Sequence, residues 1–124
     1  MKSAYVVIAH GSRDKKANQA FFEFLESFRR VCSGKKVEGA FLELAKPSIP
    51  EALERVIRSG AYEVFILPLM FFPGKHVKYD IPSFIQEAKA KHPAVDFHYA
   101  APLAGHPMLL KLLKSKALSM RKKR

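Results

Sequence analysis

Apolar residues along this chain come in two alternating kinds of run. Ala4 to Ala9 (Ala-Tyr-Val-Val-Ile-Ala) is short, continuous and rich in β-branched residues, and His-Gly-Ser closes it, the pattern of a strand buried on both faces. The period then changes. Ala17, Phe21, Phe24, Leu25, Phe28, Val31 and Cys32 recur at steps of three and four, which predicts an amphipathic helix over residues 15 to 32, ended by Ser33-Gly34. Lys36 to Glu43 reads as a second strand. Ser48-Ile49-Pro50-Glu51 supplies a capping-box pair ahead of a helix whose inner face is Ile49, Ala52, Leu53, Val56 and Ile57, with Gly60 as its stop. Glu63 to Leu69 is the third strand, followed by the loop Met70-Phe71-Phe72-Pro73-Gly74-Lys75-His76. Asp80 is placed to cap a third helix with Pro82 in its first turn and Ile81, Phe84, Ile85 and Ala88 inward. Val95 to Ala100 is a short fourth strand, and Pro107 to Met120 a leucine-rich last helix.

Strands and helices that alternate through short connections predict an α/β fold, a four-stranded parallel sheet with helices on both faces. At 124 residues the chain has length for one core. We expect one α/β domain over residues 1 to 118 and a basic C-terminal tail over 119 to 124. The longest apolar stretch, Val64 to Pro73, holds ten residues and two prolines, against the roughly 20 apolar residues of a membrane-spanning helix, so no membrane role is expected. The N-terminal run lacks the length and cleavage pattern of a secretory signal, which points to a cytoplasmic protein. The lone Cys32 cannot form an intramolecular disulfide, and its helical spacing from Phe28 makes it a core residue.

Charge changes the picture only locally. The net charge is +11, but Phe97 to Arg124 contains seven basic residues and no acidic one, so that stretch carries most of it. A basic end after a helix is usually solvated, and nucleic-acid binding is not expected. The mildly basic remainder suits an anionic small molecule.

The candidate chemistry lies on one rim. In open parallel sheets ligands bind beyond the carboxyl ends of the strands. His10 follows strand 1, Glu43 ends strand 2 and His76 lies after strand 3, at successive intervals of 33 residues, about one strand-helix unit each. If the strand order is 2-1-3-4, they come from adjacent strands about 4.8 Å apart. Two imidazoles and a carboxylate suit a first-row divalent ion and leave coordination positions open, although spacing alone fits three unrelated rim residues equally well. Gly11 permits a tight turn, and Ser12, Arg13 and the start of the first helix offer donors to a carboxylate. Phe71 and Phe72 either present a stacking surface to a flat apolar ligand or cover the helix below them.

Four blocks then carry a resemblance: His10-Gly11-Ser12-Arg13-Asp14, Phe41 to Ser48, Pro68 to Pro82, and Pro102-Leu103-Ala104-Gly105-His106-Pro107. Together they resemble the sirohydrochlorin cobaltochelatases and ferrochelatases, the class II chelatases, in their small form. The resemblance implies a chelatase-like, flavodoxin-type half with strand order 2-1-3-4. It also implies a lyase that inserts Co²⁺ or Fe²⁺ into sirohydrochlorin on the route to cobalamin or sirohaem. The metal, with Ni²⁺ as a further candidate, is then substrate, and no tightly bound cofactor is expected.

The family's metal-binding positions fall on His10 and His76, with the acidic position on Glu43 as third ligand or base. Ser12, Arg13, Phe71, Phe72, Lys75 and His106 are the expected contacts of the tetrapyrrole, with Lys46 and Lys78 as further partners for its carboxylates. Longer members have two lobes around a cleft, so a homodimer is expected to restore that cleft here. Leu109, Leu110, Leu112, Leu113 and Leu118 either join that interface or pack on their own sheet. His92 and His98 are read as structural or solvated. Rival readings are a zinc-dependent hydrolase, disfavoured by the lack of a His-Glu-x-x-His helix, and a non-catalytic metal or tetrapyrrole carrier.

Overall fold

The computed structural model describes residues 2–121, so Lys122, Lys123 and Arg124 of the expected tail lie outside the described residues. The first apolar run forms β1 (Ser3–Ala9), with Ala4, Val6 and Ile8 buried in one layer and Val7 in the other. Burial on both faces places it at the centre of the sheet. It pairs in parallel with β2 (Lys36–Phe41) on one side and β3 (Glu63–Pro68) on the other, and β3 pairs with β4 (Asp96–Tyr99). The order is β2-β1-β3-β4, as expected from the resemblance.

Helices lie on both faces. On one, α2 (Ile49–Arg58) and α3 (Ile81–Lys91) bury Ile49, Ala52, Leu53, Val56 and Ile81 against Val6, Ile8, Val64 and Ile66. The predicted inner face of α2 is the observed one, with Ile57 packed partly buried beside it. Its capping box is present: the Glu51 N–H donates to Ser48 Oγ at 3.2 Å and the Ser48 N–H to Glu51 Oε1 at 2.9 Å. On the other face α1 (Lys15–Val31) packs Phe21 and Leu25 on Val7, Val37 and Phe41. Cys32 is only partly buried at the edge of this second cluster.

Three details differ from the sequence expectation. Strand β2 ends at Phe41, two residues before Glu43. Asp80 does not cap α3: it has helical backbone angles and makes no capping hydrogen bond, because a π-helical turn, His76–Asp80, leads directly into the helix. Finally, α4 (Pro107–Ser119) packs on the short 3₁₀ turn Leu103–Gly105 and not on the sheet, and Leu110, Leu112, Leu113 and Leu118 are more than half exposed. The face of β3 and β4 on the α1 side is correspondingly open, with Phe65 and Leu67 half-buried and His98 exposed.

His92 and His98 have structural partners. His92 Nε2 lies 2.6 Å from Glu54 Oε1 and ties α3 to α2, and His98 stacks on Phe65 with ring centroids 4.7 Å apart. The hydrogen bond from His92 is the main cause that holds the Glu54 carboxyl below its ordinary value of 4.5. A carboxyl depressed by folding stabilises the native state above its unfolded pKa, and that contribution disappears as pH falls through the folded value. Thermal melts of wild type and Glu54→Gln at descending pH should therefore converge below about pH 4.5. Curves that stay a constant distance apart would show that the link does not titrate.

Candidate metal and substrate site

Strand geometry brings the first two side chains together. The β1–β2 ladder continues beyond the last residue of β2: Leu42 N–H donates to the Ala9 carbonyl at 2.9 Å and Glu43 N–H to the His10 carbonyl at 3.1 Å. Glu43 thus stands beside His10, with Oε2 3.6 Å from His10 Nε2. The intervening loop is closed on itself by Phe41 N–H donating to the Pro47 carbonyl at 2.8 Å. Leu44, directly after Glu43, has a φ of 69°, a costly conformation for a non-glycine residue that the closed loop enforces.

Gly11 makes this packing feasible. Its φ is +98°, and a Cβ built on it would lie 1.8 Å from the Glu43 carbonyl oxygen. No side chain fits between the two loops. After Gly11 the chain is pinned by Asn18, which accepts the Ser12 N–H at 3.1 Å and donates to the Ser12 carbonyl at 2.8 Å.

The third side chain comes from the π-helical turn. Pro82 has no N–H to offer the carbonyl four residues back, and the Ile81 N–H reaches the His76 carbonyl five residues back. Val77 is buried under this turn, and Tyr99 donates its hydroxyl to the Val77 carbonyl at 2.8 Å. Burial raises the Tyr99 pKa above its ordinary value, which keeps it a donor. Anchored in this way, the His76 ring lies edge-on to His10, with centroids 5.1 Å apart.

His10, Glu43 and His76 each offer one ligating atom within 4.8 Å of the other two, the only such group of three among the described residues. An ion about 2.1 Å from each atom needs them roughly 3.4 Å apart, so the side chains must close by at most about 1.4 Å. The half-exposed side chains of His10 and Glu43, at 52% and 48%, have room to make that movement. Three protein ligands would leave the outward side of the ion open to solvent or to a flat ligand.

The other expected site residues are less closely grouped. Phe71 and Phe72 are 53% and 76% exposed, and the Phe71 carbonyl accepts the Ala104 N–H at 2.9 Å. Lys46, Lys75 and Lys78 are exposed on the loops that carry Glu43 and His76, and Arg13 is exposed beside Ser12. The start of α1 is weaker as an anion site than its sequence suggests. Ser12 Oγ accepts the Asp14 N–H at 3.0 Å, and the Asp14 carboxylate already caps the helix by accepting the Lys16 N–H at 2.9 Å. His106 caps α4 through Nδ1, which accepts the Met108 N–H at 3.1 Å, leaving only Nε2 for a ligand.

One residue escaped the sequence reading. Asp80 Oδ2 lies 2.5 Å from His76 Nδ1. The signal was present as a His-x-x-x-Asp spacing, but it is indistinguishable from an ordinary helix cap until the π-helical turn is seen.

Comparison with known proteins shows the family. Residues 4–119 match the CbiX family. The chain is 35% identical over 117 residues to a sirohydrochlorin cobaltochelatase of Priestia megaterium, which covers 94% of this chain and 37% of that protein. It is 30% identical to a sirohydrochlorin cobaltochelatase of Sulfolobus acidocaldarius, over 90% of this chain and 87% of that one. The structure superposes on the sirohydrochlorin chelatase SirB of Bacillus subtilis subspecies spizizenii in complex with cobalt, with a TM-score of 0.87, 32% identity, and coverage of 97% of this chain and 51% of SirB. The chain therefore spans about a third to a half of the longer relatives and most of the shorter one.

Proposed function

The chain belongs to the CbiX family, and from that premise we propose that it inserts a divalent metal ion, Co²⁺ or Fe²⁺, into sirohydrochlorin. The observation that carries the proposal is the convergence of His10, Glu43 and His76 on one sheet rim. His10 and His76 hold the incoming ion as neutral imidazoles, and Glu43 completes the set or takes a pyrrolic proton. Insertion exchanges water and protein ligands for four ring nitrogens while two pyrrolic protons leave, so the site needs open coordination positions and a nearby base. Half-exposed ligands meet the first need. A carboxylate 3.6 Å from an imidazole meets the second. Ligand chemistry of this kind accepts Co²⁺, Fe²⁺ and Ni²⁺ alike, so cellular supply selects among them.

The macrocycle lies over the ion. Exposed Phe71 and Phe72 offer faces on which it stacks, and Arg13, Lys46, Lys75 and Lys78 attract its carboxylates, with Ser12 and His106 as further polar contacts. The metal is consumed with the tetrapyrrole as substrate, without a resident cofactor. No helix among the described residues is long and apolar enough to cross a membrane, and a cytoplasmic enzyme is the reading we adopt. The direct test is the change in tetrapyrrole absorbance when sirohydrochlorin, the metal and the protein are mixed. A rate equal to that of the protein-free mixture would end the proposal.

The working unit is a homodimer. Support comes from the exposed leucines of α4 together with the open face of β3 and β4, two apolar surfaces left uncovered among the described residues. Sedimentation should give twice the monomer mass, and Leu110→Glu with Leu113→Glu should reduce it to the monomer with a loss of chelation. A wild type that sediments as a monomer at micromolar concentration and remains active would refute the dimer.

A further inference from the structure

His76 is held by a contact that the proposed reaction does not itself require. Its Nδ1 lies 2.5 Å from Asp80 Oδ2, a short charge-assisted hydrogen bond across one turn. A carboxylate can only accept, so Nδ1 carries the hydrogen and the Nε2 lone pair is the one left to meet a ligand. Asp80 has no competing duty: it makes no capping hydrogen bond to α3, and its backbone continues the helical path.

The turn that creates this pair is itself rigidly placed. The Ile81 N–H bonds to the His76 carbonyl, Val77 is buried beneath, and Tyr99 grips the Val77 carbonyl. Both side chains remain partly exposed, at 40% for His76 and 36% for Asp80. In water an unsupported imidazole would exchange rotamers and ring tautomers. The carboxylate removes that freedom before the ion arrives.

We propose that Asp80 is a positioning residue for the metal step: it orients the His76 ring and fixes Nε2 as its ligating nitrogen, without touching the ion. The inference rests on His76 being a metal ligand. Outer-shell carboxylates that orient a ligating histidine typically contribute about 10- to 100-fold to metal affinity.

The test uses Co²⁺ alone, titrated into the intact protein and followed by its visible absorption, for wild type, Asp80→Ala, Asp80→Asn, His76→Ala and the double variant Asp80→Ala/His76→Ala. Asp80→Ala should bind about 10- to 100-fold more weakly. Asp80→Asn keeps an acceptor of the same shape and should recover most of that loss. The double variant should bind no more weakly than His76→Ala, because Asp80 acts only through the ring. Thermal melts of Asp80→Ala and Asp80→Asn should stay close to wild type. Wild-type Co²⁺ affinity in Asp80→Ala alongside a loss in His76→Ala overturns the inference and leaves the site intact. A further loss in the double variant, or no rescue by asparagine, also overturns it and assigns Asp80 a structural part. Unchanged affinity in His76→Ala shows instead that the ligand assignment itself is wrong.

Discussion

Replacing His10 or His76 by alanine is expected to slow metal insertion into sirohydrochlorin by on the order of 100-fold or more, because loss of an inner ligand must exceed the 10- to 100-fold typical of outer-shell partners. The fold should survive. The side chains are 52% and 40% exposed, and neither belongs to the buried clusters, so truncation opens no cavity. A comparison of insertion rates with Co²⁺ affinities under one set of conditions makes the result interpretable. Both should fall together if the imidazoles hold the ion. Insertion at the wild-type rate in both variants would sink the site assignment. Glu43→Gln separates the two duties left open for that residue, since a ligand role weakens Co²⁺ binding and a base role lowers the rate at unchanged affinity.

The second large effect is structural. Gly11→Ala should lower stability by on the order of 2–4 kcal/mol, about 10 °C in melting temperature, and abolish chelation in what remains folded. Two costs combine. A φ of +98° strains any residue with a Cβ, and the added methyl would sit 1.8 Å from the backbone oxygen of Glu43, which no rotamer change can relieve. Relief requires the Glu43 loop to retreat from His10, separating the two ligating groups. Gly105→Ala is the control, because its added carbon meets nothing within 4 Å, and it should melt like the wild type. A Gly11→Ala protein with full stability and full activity would show that the two loops do not need their close approach.

Much of the scaffold was legible because its signals are local. Continuous β-branched runs, a change of period at Ala17 and a Ser48/Glu51 capping box each act within a few residues, and each appears where expected. The rim location of His10, Glu43 and His76 followed from topology, since side chains just beyond the ends of parallel strands must emerge on one side. What failed was also physically specific. Asp80 carries the chemistry of a helix cap, and only the π-helical turn that runs into α3 makes it a partner for His76. The start of the first helix reads as a donor to anions, and the structure shows Asp14 already capping it.

The last helix marks the boundary between the two kinds of information. Its leucines predicted an element with more apolar surface than one face requires, and that much is a property of the residues alone. Which surface it meets depends on contacts between distant segments, and among the described residues it packs mainly on the short turn that precedes it. The same division holds for the three residues of the rim. Periodicity and turn residues determined the strands and the rim on which His10, Glu43 and His76 fall, because those forces act along the chain. Their approach to within 4.8 Å was decided only in three dimensions, by a ladder that outruns its strand, a glycine without a side chain and a turn slipped by one residue.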